Sequence, residues 1–365
     1  MLFVFSSLSV SGAGNDDKDK NLTLFGDARI RAEMDMNSSN ADGTVRRDRD
    51  RLRFRLRFGF RWQHSDHFAF GGRLRSGAVQ SAQSPHSTLG DGFAPKTMNI
   101  DKAYIKGDYG HGFYWFGKNT FHFWKQNEMF WDDDVTPEGG AISHTVQIEN
   151  GGSLTANGGI FFIDATSASQ RFSDQAKMIG AQIAFKTKFS DIPFESAVGY
   201  YSFRANKNGS SILSGKDSNI LVAGASLTFN SLSFPVKIGV DYMNNLQDYA
   251  GRFLHDDQTK GYTASVRAGR LKKKGSVYCA YYFAHIEEHA VVTLFAQDDW
   301  LRWGSATTAR SSNFGGHEFR VAYAMDAGNS LVLRFYLVEA LELRSRSAKK
   351  KETGTRVRLD WNMKF

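Results

Sequence analysis

Thr353-Gly-Thr-Arg-Val-Arg-Leu-Asp-Trp-Asn-Met-Lys-Phe365 is the stretch from which the fold can be read. Val357, Leu359, Trp361, Met363 and Phe365 take every second position, and Arg356, Arg358, Asp360, Asn362 and Lys364 fill the gaps. A period of two sorts these sets onto opposite faces of a β-strand. An apolar face for hydrocarbon and a charged face for water is the pattern of a transmembrane barrel wall. A final aromatic residue is similar to the signal that outer-membrane barrel assembly machinery reads, so these five residues are the expected insertion signal. A soluble β-sandwich strand would share the alternation, and the rest of the chain must decide.

Arg49-Asp-Arg-Leu-Arg-Phe-Arg-Leu-Arg-Phe-Gly-Phe-Arg-Trp62 decides it. Leu52, Phe54, Leu56, Phe58, Phe60 and Trp62 form one face; Arg51, Arg53, Arg55, Arg57 and Arg61 form the other. A helix would scatter these arginines around its circumference, whereas a strand separates them. An arginine facing lipid costs roughly 2–4 kcal/mol near the midplane, so five facing outward would cost on the order of 10 kcal/mol. They must face a wet interior. The preceding segment alternates in the same way, with Asp27, Arg29, Arg31, Glu33 and Asp35 opposite Ala28, Ile30, Ala32 and Met34, and Arg73 and Arg75 continue the row. A basic, pore-lining ladder about three strands wide is expected. A lumen of such charge fits the larger barrels, since those of about 16–18 strands hold an aqueous channel.

Composition agrees with an all-β membrane protein. The 365 residues are 41% hydrophobic and 23% charged, with 35 Gly, 30 Phe and only 5 Pro. With a mean hydropathy of −0.41, no apolar run is long enough for a membrane-spanning helix. Cys279 has no second cysteine with which to pair. The net charge of +8 raises nucleic acid as a partner, but arginines locked to strand periodicity opposite an apolar face argue against it.

Residues Met1 to Ala13 are similar to the hydrophobic and cleavage portions of a secretory signal, with Ser11 and Ala13 as small residues, although the usual basic start is missing. The expected organisation is a signal remnant at 1–14, a periplasmic segment at 15–21, and one barrel domain at 22–365. Alternation from Leu22 onward gives about sixteen strand segments of transmembrane length. Their connections take turns. Long ones fall at 37–48, 77–97, 119–140, 164–175, 205–218, 244–260, 286–315 and 344–352. Tight ones fall between them, at 63–67, 109–112, 149–153, 190–193, 230–233, 271–275 and 326–329. Short periplasmic turns alternating with long external loops distinguish a transmembrane barrel from a Greek-key sandwich.

The third long connection is anomalous. Phe121, Phe123, Trp124, Phe130 and Trp131 are too aromatic for a solvated loop, and Asp132, Asp133, Asp134 and Glu138 follow them. Such a loop packs against something, and the available surface is the barrel interior. It is expected to fold inward as a constriction whose carboxylates oppose the arginine ladder. Several oxygen ligands also make the acidic cluster a candidate for a divalent cation such as calcium, although it lacks the interleaved spacing of a helix-loop-helix site. No other cofactor is expected.

Phe116-Gly117-Lys118-Asn119 leading into Phe130-Trp131-Asp132-Asp133-Asp134-Val135-Thr136-Pro137-Glu138-Gly139 resembles the putative-porin family of bacterial outer-membrane proteins. Gly26-Asp27-Ala28-Arg29-Ile30-Arg31 and Arg51-Leu52-Arg53-Phe54-Arg55 support the resemblance, which runs from about Leu22 onward. Lys118 stands where the family pattern has arginine, and no proline follows Asn119. The resemblance implies a passive diffusion channel for small hydrophilic solutes in the outer membrane of a Gram-negative bacterium. It names no particular solute. Anion preference is expected from the ladder, and a homo-oligomer, for instance a trimer, from general porins.

Other chemistry is present in letters only. His285-Ile-Glu-Glu-His289 spells an inverted zinc-hydrolase pattern, but that chemistry needs a helix and this segment leaves a strand for a loop. No spacing marks a nucleophile and its base, so no enzyme is expected. A lipase- or protease-type barrel, or a structural barrel plugged by a partner, are the alternatives. Arg46, Arg47, Arg344, Arg346, Lys349, Lys350 and Lys351 lie on the first and last external loops, which barrel closure would make neighbours; they are candidates for lipopolysaccharide phosphates.

Overall fold

The computed structural model describes residues 21–164, 171–206, 213, 215–230, 233–303 and 311–365. The proposed signal at 1–14 and nearly all of the segment at 15–21 lie outside the described residues. Sixteen strands close as one antiparallel barrel, and two short strands, Val45–Arg46 and Ser87–Thr88, pair at its outer end. Closure is made by the first strand, Leu22–Ser39, which pairs with Arg49–Gln63 on one side and Thr353–Lys364 on the other.

The expected rhythm of connections is that of the barrel. Glu138–Ile148 and Gly152–Asp164 pair through a turn at 149–151, and Ala176–Phe189 joins Ile192–Arg204 through two residues. On the other rim lie the long connections 77–97, 119–137, 246–259 and 340–352 and the described residues 287–303 and 311–313 of another. Several boundaries differ from the sequence expectation, the loop starts expected at 37, 244 and 344 among them, and one difference moves a site residue. Glu138 is the first residue of a strand and not part of the loop, because it pairs with Lys118 in the ladder and its carboxylate accepts from Lys118 Nζ at 2.7 Å.

Outward positions carry Leu52, Leu56, Phe58, Trp62, Phe319, Leu333, Leu359 and Trp361, all exposed. This is the hydrocarbon-facing surface, and it extends over Val357, Met363 and Phe365. Free Cys279 lies on it too. Gly26 permits the seam to close. A Cβ there would fall 2.4 Å from the Phe365 ring and 2.5 Å from the Arg57 carbonyl oxygen. Phe365 and Gly26 instead exchange backbone hydrogen bonds of 3.0 and 3.1 Å.

The interior has a core of its own. Trp115, Phe161, Met178, Tyr201, Phe203, Ile220 and Met243, all on strands, are buried against loop residues Phe121, Phe123, Phe130 and Trp131. The barrel is therefore filled by protein along this side.

Candidate functional site

Strand register organises the inward charges. The first strand sets Asp27, Arg29, Arg31, Glu33 and Asp35 beside Arg57, Arg55, Arg53, Arg51 and Arg49. Its other edge sets Arg31, Glu33 and Asp35 beside Asp360, Arg358 and Arg356. Alternating signs across a ladder convert this adjacency into ion pairs. Arg31 Nε donates to Asp360 at 2.6 Å, Arg358 Nε to Glu33 at 2.7 Å, and Arg356 Nε to Asp35 at 2.6 Å. Arg55 and Arg57 share Asp27 at 2.6 and 2.7 Å, Arg51 pairs with Glu33, and Arg73 Nε reaches Asp101 at 2.5 Å. Burying these guanidiniums would be prohibitive without such partners.

The basic residues singled out from sequence thus gather on one wall, with one outlier. Arg61 lies near the turn end of its strand and bonds Gln63 at 2.8 Å, apart from the rest. Arg53 and Arg75 turn toward the 77–97 loop, Arg53 to the His86 carbonyl at 3.2 Å and Arg75 to the Ser81 carbonyl at 2.5 Å.

The aromatic-acidic loop crosses the interior. Phe121 stacks on Trp131 with centroids 4.3 Å apart, and Phe121, Phe123 and Phe130 surround Tyr201 at 6.1, 5.3 and 4.6 Å. Trp124 N–H donates to Gln182 Oε1 at 2.7 Å, and Gln126 Nε2 donates to Asp241 at 3.0 Å. Gly117 sets up the departure: at φ 118°, where a side chain is strained, a Cβ would lie 2.2 Å from the Ala103 oxygen. The three aspartates diverge. Asp134 reaches the ladder, accepting from Arg57 Nη1 at 2.7 Å and lying 3.7 Å from Arg55. Asp133 pairs with Lys125, and buried Asp132 accepts from the Asp134 N–H at 2.7 Å. With Glu138 bonded to Lys118, only Asp134 of the four acids touches the arginines. Among the described residues no group of three or more His, Cys, Asp or Glu is arranged for a metal. His285 stacks on Tyr262 at 4.7 Å while buried His289 meets Lys216, so the two histidines of the zinc-like pattern do not converge.

Sequence reasoning placed the connection at 286–315 among the external loops and missed that its residues 295–302 enter the interior. Asp299 bridges Arg334 at 2.9 Å, Arg31 at 3.5 Å and Arg358. Arg302 lies 3.8 Å from Asp35. The two loops are joined: Asp132 N–H donates to the Phe295 carbonyl at 2.7 Å, Gln297 N–H donates to the Glu128 carbonyl at 2.9 Å, and Trp131 stacks on Phe295 at 5.2 Å. Arg320, Arg334, Arg356 and Arg358 were also missed as members of the basic wall. Their parity marks them as inward, and barrel closure was the signal that would have joined them to Arg31.

Between loops and ladder lies a cavity of about 290 Å³. Arg29, Arg31, Arg55, Arg57, Arg320, Arg334 and Lys364 line it together with Glu128, Asp132, Asp133, Asp134, Asp298, Asp299 and Glu318. The loop carboxyls titrate unequally. Burial, reinforced by Asp133, pushes Glu128 up to about 8. Burial and then Asp299 push Asp298 to about 6. Burial and Glu128 also raise Asp132. For Asp299 burial is outweighed by Arg358, Arg31 and Arg334, which hold it well below the usual range.

A closed sixteen-stranded barrel with an apolar outer belt and a charged lumen defines a transmembrane channel protein of the outer membrane. The family described as putative porin matches residues 37–220, and the chain belongs to it. Its structure is similar to that of OprB of Pseudomonas putida (TM-score 0.59, 12% identity, 95% of each chain covered). It is also similar to OmpF of Salmonella typhi, solved with daunomycin (TM-score 0.56, 11% identity, 94% of this chain and 98% of that one). A mutant of the Rhodopseudomonas blastica porin follows at TM-score 0.51, with 12% identity and 94% and 100% of the two chains covered. At these identities the likeness concerns the fold. No curated protein matches the sequence.

Proposed function

We propose that the barrel passes small hydrophilic solutes by passive diffusion, that the loop at 119–137 narrows it, and that anions are preferred. The observation that carries this reading is the cavity wall, where seven cationic side chains meet carboxyls of which Glu128, pushed up to about 8 by burial, holds its proton at neutral pH, and buried Asp132 is shifted in the same direction. A field of one prevailing sign in a narrow aqueous passage raises the local concentration of the opposite ion. The test is single-channel conductance in a planar bilayer, with the reversal potential read under a KCl gradient. Chloride preference is expected, and Arg29→Gln with Arg55→Gln should reduce it. An unchanged reversal potential would take the ladder out of the permeation path.

One observation favours a plugged barrel instead. Two loops, bonded to each other, occupy the interior. Absence of conductance from correctly folded protein, restored by loop deletion, would support that alternative. The outward residues Val357, Leu359, Trp361, Met363 and Phe365 suit an insertion signal. The external loops 40–48 and 340–352 adjoin, with Lys349 N–H donating to the Ala41 carbonyl at 2.7 Å. Arg47, Arg344, Arg346, Lys349, Lys350 and Lys351 are exposed on them, as phosphate contacts with lipopolysaccharide would require. Assembly as a homotrimer would match the trimer form solved for OmpT of Vibrio cholerae.

A further inference from the structure

The cavity is bipolar in its supply of groups. Strands contribute guanidiniums, and the two loops contribute carboxyls, of which Asp134 and Asp299 are paired with those guanidiniums while Asp298 and Glu128 are not. Arg29 spends only its Nε, donated to Asn362 at 2.6 Å, and its nearest carboxylate, Asp360, is 3.9 Å away. Among the described residues neither Asp298 nor Glu128 forms an ion pair with a basic side chain, and both line the cavity. His86 lines it too. Its side chain is 8% exposed and its Nε2 has no hydrogen-bond partner, while Arg53 holds its carbonyl at 3.2 Å. A buried ring nitrogen left without a partner on a cavity wall is costly unless a guest satisfies it. The space corresponds to on the order of ten waters, since each occupies about 30 Å³ in the liquid. That is room for a molecule of dipeptide size.

The charge arrangement discriminates among guests. A simple anion meets the guanidiniums but also the loop carboxylates, and a simple cation meets the reverse. A molecule carrying both charges a few ångströms apart satisfies both sets. We infer that the cavity is a transit site for small amphoteric solutes, with Arg29 and His86 receiving the acid group, the Asp298 carboxylate receiving the amine, and a carboxyl oxygen of Glu128 accepting a further hydrogen bond from it. This deepens, and rests on, the channel reading above.

The experiment is block of KCl current through the full-length protein by three matched probes: diglycine, its N-acetylated anion and its C-amidated cation. Diglycine is expected to half-block at about tenfold lower concentration than either relative, the effect of one additional charge-assisted hydrogen bond. Arg29→Gln should bring diglycine to the level of the amide. Glu128→Gln with Asp298→Asn should bring it to the level of the acetylated form. Equal block by all three, or equal block by diglycine and the acetylated anion, in a conducting pore overturns the amphoteric site and leaves the channel standing. Folded protein without conductance overturns both. Because Glu128 and Asp298 sit at the loop junction, the heat-modifiable band of each variant on a gel verifies that the barrel has closed.

Discussion

Arg57 on the second strand donates from Nη1 to Asp134 Oδ1 of the aromatic-acidic loop at 2.7 Å, while its Nε holds Asp27 at the same distance. One guanidinium therefore belongs to the barrel seam and to the loop at once. Asp134→Asn keeps the shape and removes the charge, leaving Arg57 with Asp27. A hydrogen bond to a charged group contributes about 1.5–3 kcal/mol. Loss of this anchor should increase open-channel current noise and raise mean conductance. A variant trace identical to the parent's would detach this contact from loop docking.

Selectivity should depend on pH through the loop carboxyls. Glu128, pushed up to about 8, is neutral below that pH and charged above it. Raising pH from 7 to 9 adds a negative charge to the cavity, so chloride preference should fall. Lowering pH from 7 to 5 protonates Asp298, near 6, and should move the reversal potential the other way. Glu128→Gln should flatten the alkaline limb and leave the acid limb in place. An alkaline limb that survives in this variant would assign the titration elsewhere.

The strands were legible because lipid and water impose a two-residue period that local sequence must obey. Arg51 to Arg57 could face only a wet interior, and the aromatic content of 121–131 betrayed an interior loop. What escaped were relationships made by closure. Nothing near Asp298-Asp299 announces that Arg31, some 270 residues earlier, will lie beside it; the register of first and last strands, a long-range property, decides that. Glu138 was misread for the opposite reason. Its letter suited the acidic loop, but its backbone was already committed to the ladder with Lys118.

Gly26→Ala should weaken the seam. The added Cβ would overlap both the Phe365 ring and the Arg57 carbonyl, and overpacking of this kind costs about 1–3 kcal/mol. The temperature at which the folded band converts to the unfolded band on a gel should fall. Phe365→Leu in the same background should recover part of the loss by clearing the ring. Failure of the pair to recover would mean that the backbone clash with Arg57, not the ring, dominates.

Asp299 is where the second loop is held, and its replacement has a signed outcome. The side chain bridges Arg31, Arg334 and Arg358, whose other carboxylates are Asp360 and Glu33. In Asp299→Asn three guanidiniums lose a shared counter-charge in a poorly solvated space, and an unpaired buried charge is expensive. Two effects follow together. The 287–313 loop loosens, so conductance should rise and the current become noisier. The cavity gains net positive charge, so chloride preference should increase, opposite in sign to the shift from Arg55→Gln. Both readings come from one bilayer recording. Higher conductance with no change of selectivity would make Asp299 a tether only, and a shift toward cations would refute its place on the cavity wall.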